Sequence, residues 1–165
     1  MVATKEQNER LYIRLTVSVE DLTLVRRHVR NLLARDGDFG PVRDDTTDYW
    51  ERAALVSALV VAYGRVFSRS NGLPDFPMRL AGYTTEEKAQ HDQLMHLRDT
   101  QYAHSDSATH HVRIVKGSTF TSVHRMPPYA IPRHQLNLIL SMVDKVRDNI
   151  EERQGVLHAE IMAEE

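Results

Sequence analysis

Between Leu136 and Ile150, the apolar residues Leu136, Ile139, Leu140, Val143, Val146 and Ile150 recur every three or four positions, with Pro132 just ahead of them. That spacing lines side chains along one face of a helix, and proline is tolerated in a first turn, where its missing N–H would be unpaired anyway. A one-sided stripe of this length can be buried only against other elements, so the chain must supply partners for it. The rest of the sequence offers three. Ser18, followed by Glu20 and Asp21, reads as an N-cap with an acidic first turn, and Leu22, Val25, Val29, Leu32 and Leu33 follow at helical spacing. This predicts a first helix over about 19–35, with residues 1–16 as a flexible or peripheral lead-in.

Asp-Gly-Asp-Phe-Gly-Pro at 36–41 is loop chemistry, after which Thr46 or Thr47 can cap a second helix through Trp50, Ala53, Ala54, Val56, Val60, Val61, Gly64 and Phe67. It is apolar nearly all round between Ala53 and Ala62 and is predicted to be the most buried helix. A Pro-rich connection leads to Thr84-Thr-Glu-Glu87, a capping box that opens a third helix ending near Ala103. From His110 to Val123 the period changes, and strand-like residues flank Lys116-Gly-Ser118, which predicts a short hairpin turning at Gly117. The tail after Gly155 can either continue the fourth helix or fray. The fold class expected is all-α: an antiparallel four-helix bundle with a small β-hairpin inserted between helices three and four, one domain over 1–165.

A length of 165 residues suits one core, and 41% hydrophobic with 27% charged residues is an ordinary globular composition. The absence of cysteine excludes disulfides, thiolate metal sites and thiol nucleophiles. Residues 1–10 lack the apolar stretch of a signal peptide and no run approaches the length of a membrane span, so a cytoplasmic protein with no membrane association is expected. The net charge of -2 argues against a strongly basic coat for nucleic acid. Only the middle is net basic: residues 61–133 carry 9 Lys and Arg against 6 Asp and Glu, a mild bias toward anionic partners.

On a helical wheel at about 100° per residue, Leu97, Gln101, Leu94, Arg98, His91, Tyr102 and Met95 share one arc of helix three. Arg98 therefore stands mid-arc among apolar neighbours. A guanidinium keeps its charge in a protein, so it must be paired with a carboxylate, reach a cavity or face another subunit. Arg65 poses the same problem one turn after Val61. Arginine at a cleft suits phosphate, which its rigid fork matches bidentately. His104 is the natural companion, since imidazole alone among common side chains titrates near neutrality. On a continuous helix the two would stand about 120° apart and could converge only if the helix breaks between them. Ser105-Asp-Ser107 is suited to such a break.

Arg98-Asp-Thr-Gln-Tyr-Ala-His104-Ser105 resembles the signature of the HEPN superfamily, whose helical-bundle domains share an arginine, usually a polar residue after it, and a histidine four to six residues on. The Ala-His-Ser ending is similar to the Arg-Asp-Lys-x-x-Ala-His-Ser strings of the abortive-infection branch. The resemblance implies a metal-independent endoribonuclease without cofactors, acting as a homodimer that brings two motifs together, in a toxin or abortive-infection (phage defence) role with an antitoxin as partner protein. It implies that a ribose 2′-hydroxyl of the RNA substrate attacks the adjacent phosphate, with His104 as general acid or base and Arg98 stabilising charge on the phosphate oxygens. Asp99 would orient the pair, Ser105 and Tyr102 would support it, and Arg65 would hold the substrate backbone. The chain departs from the Arg-x4-His-x-Tyr form of HEPN toxins, because five residues separate Arg98 from His104 and Asp106 stands two beyond the histidine.

Other constellations are weaker. His91 and His96 lie about 140° apart on a helix and His110-His111 point to opposite sides of a strand, so no metal site is expected. Ser57 and Ser68 lack a nucleophile elbow, and the seven glycines form no phosphate loop. The competing function is a non-catalytic helical assembly or binding module. Arg98 and His104 in an open groove favour the nuclease; paired with carboxylates of their own chain, they favour the scaffold.

Overall fold

The computed structural model describes residues 4–35, 47–102, 111–116, 120–125 and 131–163. Four long helices dominate them: α1 (Lys5–Ala34), α2 (Thr47–Phe67), α3 (Thr85–Leu97) and α4 (Arg133–Met162). A single 3₁₀ turn, Met78–Leu80, lies between α2 and α3, and a five-residue π-helical segment, Arg98–Tyr102, continues directly from α3. Two short strands, β1 (His111–Lys116) and β2 (Phe120–Arg125), pair antiparallel with His111 opposite Arg125 and Lys116 opposite Phe120.

Helix α1 departs most from expectation. It starts 14 residues before the expected position 19, because Thr4 and Gln7 form a reciprocal capping box. The Gln7 N–H donates to the Thr4 hydroxyl at 3.3 Å, and the Thr4 N–H donates to Gln7 Oε1 at 3.0 Å. The expected N-cap, Ser18, is instead a buried mid-helix residue whose hydroxyl donates to the Arg14 carbonyl at 2.9 Å. Residues 5–16, expected as a flexible or peripheral segment, are thus the first turns of α1, and Arg14 and Leu15 there are buried.

The other helix starts follow the sequence more closely. The Thr84 box is formed, with the Glu87 N–H on the Thr84 hydroxyl at 3.3 Å and the Thr84 N–H on Glu87 Oε2 at 2.7 Å. Helix α4 begins after Pro132 and runs through Gly155 to Met162, so the tail continues the helix. Helix α2 is less enclosed than its composition predicts: Val56, Leu59, Val60, Tyr63 and Val66 are buried, whereas Trp50 and Val61 are exposed on its outer face.

Neighbouring helices run antiparallel, as their cross-ties show. Between α1 and α4, Arg133 donates to the Leu33 carbonyl, Arg26 pairs with Asp144 and Gln154 donates to Thr16, so rising numbers in one helix meet falling numbers in the other. Between α1 and α2, Arg35 pairs with Glu51 and Arg14 donates to the carbonyls of Val66 and Ser68. Between α3 and α4, Glu87 meets Lys145 while Asn149 holds the Leu80 carbonyl. The core lies along the seam: Leu15, Leu22, Val25, Val29 and Leu32 of α1 share it with Leu136, Ile139, Val143, Val146 and Ile150 of α4, the rows repeating at three or four residues except where buried Ser18 stands between Leu15 and Leu22. No helix among the described residues is long and apolar enough to cross a membrane.

Candidate functional site

Regular α-geometry in the third helix ends at Leu97, and the widened π segment takes over at Arg98. Such segments bond from i to i+5, so each residue advances by less than the about 100° of an α-helix, and they often mark functional positions. The Arg98 N–H still reaches the Leu94 carbonyl, and the Thr100 hydroxyl donates to the His96 carbonyl at 2.8 Å. Regular α-geometry therefore ends at Leu97, while the helical course continues as the π segment to Tyr102, next to the expected end near Ala103.

Arg98 itself lies across α2 at Gly64. A Cβ placed on Gly64 would overlap Cδ of Arg98 and stand 3.0 Å from its Cγ and Nε, inside ordinary van der Waals contact. The aliphatic stem thus rests on bare helix backbone. The guanidinium Nη1 donates to Oδ1 of Asp99 at 3.1 Å, and the Arg98 side chain keeps 30% of its surface open to solvent. Arg98 is accordingly neither buried in the core nor lost to solvent: stem covered, head partly open, one carboxylate on one of its nitrogens.

The structure brings Arg98 and Asp99 together and sets Arg65 apart. Arg65, expected in the bundle interior, is 54% exposed at its side chain and pairs with the nearly buried Asp21 of α1, its Nε donating to Oδ1 at 3.0 Å. It points to the α1 flank of α2, about 100° round the helix from Gly64. The apolar run ahead of it misleads because α2 has an open outer face there, as exposed Val61 shows. Tyr102 is the last residue of the π segment, while His104 and Ser105 lie outside the described residues. Of the serines weighed as nucleophiles, Ser57 and Ser68 donate to the carbonyls of Ala53 and Gly64 one turn back, at 2.7 and 2.6 Å. No group of three metal-ligating side chains occurs among the described residues.

A second polar group beside Arg98's helix was missed from the sequence. His91 is buried among Tyr63, Phe67 and Tyr83, with Phe67 edge-on to its ring at 4.7 Å between centroids. Tyr63 Oη lies 2.9 Å from His91 Nδ1 and 3.0 Å from Tyr83 Oη. Burial above all drives both phenols above their ordinary range, and burial, opposed by Asp92 and assisted by Lys88, lowers the imidazole. The hydroxyls stay protonated and the imidazole neutral, so Tyr63 Oη links Tyr83 Oη to His91 Nδ1 in one hydrogen-bonded chain. The signal was the placing of His91 on the apolar arc of helix three, just as Gly64 inside an apolar helix signalled a close approach.

Compared with known proteins, the chain matches no family model, no curated protein and no solved structure.

Proposed function

We propose that the protein is a metal-independent endoribonuclease of the HEPN type. In this reading a cytoplasmic homodimer, held in check by an antitoxin protein, cleaves RNA in a toxin or abortive-infection role. The observation that carries the reading is the setting of Arg98: a guanidinium where α3 passes into the π segment, its stem on Gly64, its head partly open, with Asp99 occupying one edge. A fork so placed can turn its remaining N–H donors to a phosphodiester, where they would stabilise charge developing on the non-bridging oxygens. His104 would move the proton of the attacking 2′-hydroxyl, and Asp99 would fix the tilt of the fork. Ser105 and Tyr102 would support the pair. Arg65, tied to Asp21, would contribute to the backbone of the substrate only by leaving that pair.

The test is incubation of wild type, Arg98→Ala and His104→Ala with total RNA in the presence of a chelator, followed by end mapping. Cleavage by wild type that falls at least about a hundredfold in each variant, with folding retained, is the expected result. Equal cleavage by wild type and His104→Ala sinks the assignment.

A second reading, a non-catalytic assembly module, is favoured by the pairing of Arg98 with Asp99 of its own chain and by the outer face of α1, where Ile13, Val17 and Leu24 are exposed at helical spacing. It predicts that Leu24→Glu changes the molecular mass in solution while no RNA is cleaved by the wild type.

A further inference from the structure

We infer that Gly64 is a positioning residue: the bare stretch of α2 at Gly64 is the seat that holds Arg98 where its guanidinium can act. The inference rests on the ribonuclease reading for its catalytic meaning, though the seat itself stands on geometry alone. Glycine inside a helix costs roughly 1 kcal/mol relative to alanine, and Gly64 is buried within α2, ahead of its end at Phe67, where no positive φ requires it. What does require it is the Arg98 stem, since the heavy atoms a Cβ would meet are its Cδ, Cγ and Nε. These belong to a flexible side chain and not to backbone. Alanine at this position therefore leaves the two helices where they are and displaces the arginine. Once off its seat, the stem also loses the alignment that brings Nη1 to Asp99. A fork held at one edge by a carboxylate and along its stem by a helix has few orientations left, and that restriction is what charge stabilisation at a phosphate needs.

The test is a double-variant cycle over Gly64→Ala and Arg98→Ala in the full chain, with thermal unfolding and RNA cleavage as separate readouts. In the Arg98→Ala background the seat is vacant, and Gly64→Ala raises the melting temperature by about 2–4 °C, the ordinary gain from glycine to alanine in a helix. In the wild-type background the same substitution gives no gain, or a loss, because the stem must move. Cleavage by Gly64→Ala drops toward the Arg98→Ala level through kcat, with KM changed by no more than about twofold, as misplacement of a charge-stabilising group requires. The Nε–H resonance of Arg98 shifts in Gly64→Ala while the far-ultraviolet spectrum is unchanged. An equal rise in melting temperature in both backgrounds overturns the seat, whatever the activity. A non-additive cycle together with full cleavage by Arg98→Ala upholds the seat and removes the ribonuclease reading from it.

Discussion

At the scale of single residues, two polar groups in the interior of this bundle carry sharp expectations. His91 is held neutral by burial, in the face of Asp92, with Tyr63 Oη hydrogen-bonded to its Nδ1. Its folded pKa lies below the roughly 6.5 of an unfolded histidine, so at neutral pH both states are neutral and nothing is gained or lost. As pH falls below about 6.5 the unfolded chain takes up a proton that the folded chain refuses, and stability declines until the folded pKa is reached. Urea titrations between pH 7 and pH 5 check this: the decline is smaller in His91→Gln than in wild type. It does not vanish, because His28 is also lowered, by burial and by the adjacent Arg27. Arg14 is the other case. Its Nη2 donates to the Val66 carbonyl at 2.7 Å and to the Ser68 carbonyl at 2.9 Å, covering acceptors that the end of α2 leaves without helical partners. Arg14→Met keeps the length and loses both bonds, with an expected cost of about 1.5–3 kcal/mol in denaturant unfolding. Neither residue was legible as such. A histidine on an apolar arc and an arginine ahead of the first recognised stripe show only that something must pair them, and both partners lie many positions away in the chain.

At the scale of elements, legibility followed local chemistry. The Thr84 box and the stripe behind Pro132 act through neighbours three or four positions away, so the starts of α3 and α4 could be read directly from residue type and spacing. The start of α1 could not, although Thr4-Lys-Glu-Gln7 carries the same signature as Thr84-Thr-Glu-Glu87. The stripe behind Thr4 is interrupted by the buried polar residues Asn8, Arg14 and Ser18, of which Arg14 bonds across to α2 and Ser18 back to its own helix, and this hides the helical period over the first half of the element. The change to π geometry at Arg98 was not legible from residue type, and Ser105-Asp-Ser107, where a break was expected, lies outside the described residues. The true start of α1 yields a paired prediction. Thr4→Ala removes a hydroxyl that satisfies a first-turn N–H and costs about 1 kcal/mol, less if that turn frays. Ser18→Ala removes only a hydroxyl bonded to its own helix, and urea midpoints should place it within about 0.5 kcal/mol of wild type. A larger cost at Ser18 than at Thr4 would return the N-terminus of the helix to position 18.

At the scale of the whole molecule, the four helices are not tied equally. The seam of α1 with α4 is long and apolar, whereas the short α3 contributes a single fully buried apolar side chain, Leu94, and depends more on polar contacts. The chief of these joins its first turn to α4: Lys145 Nζ lies 2.7 Å from Oε1 and 2.6 Å from Oε2 of Glu87, whose other bond closes the Thr84 box. Burial works to raise the Glu87 carboxyl, and the hydrogen bonds from Lys145 and the Thr84 N–H outweigh it, so the carboxyl is held below its usual value. Stability from this group is present above the unfolded glutamate pKa of about 4.3 and is lost as pH falls through the lower folded value, a window separate from that of His91. The two partners are unequal. Glu87 is buried and Lys145 reaches solvent, so removing the lysine strands a carboxylate, while removing the glutamate leaves an amine that can turn outward. Lys145→Met should therefore cost about 2–4 kcal/mol and Glu87→Gln less than that, against at most about 1 kcal/mol for Arg26→Met at the more exposed pair with Asp144. The Lys145→Met protein should therefore show early hydrogen exchange in residues 85–97 before the α1–α4 seam opens. Uniform loss of protection across all four helices would mean instead that α3 folds and unfolds as one unit with the seam.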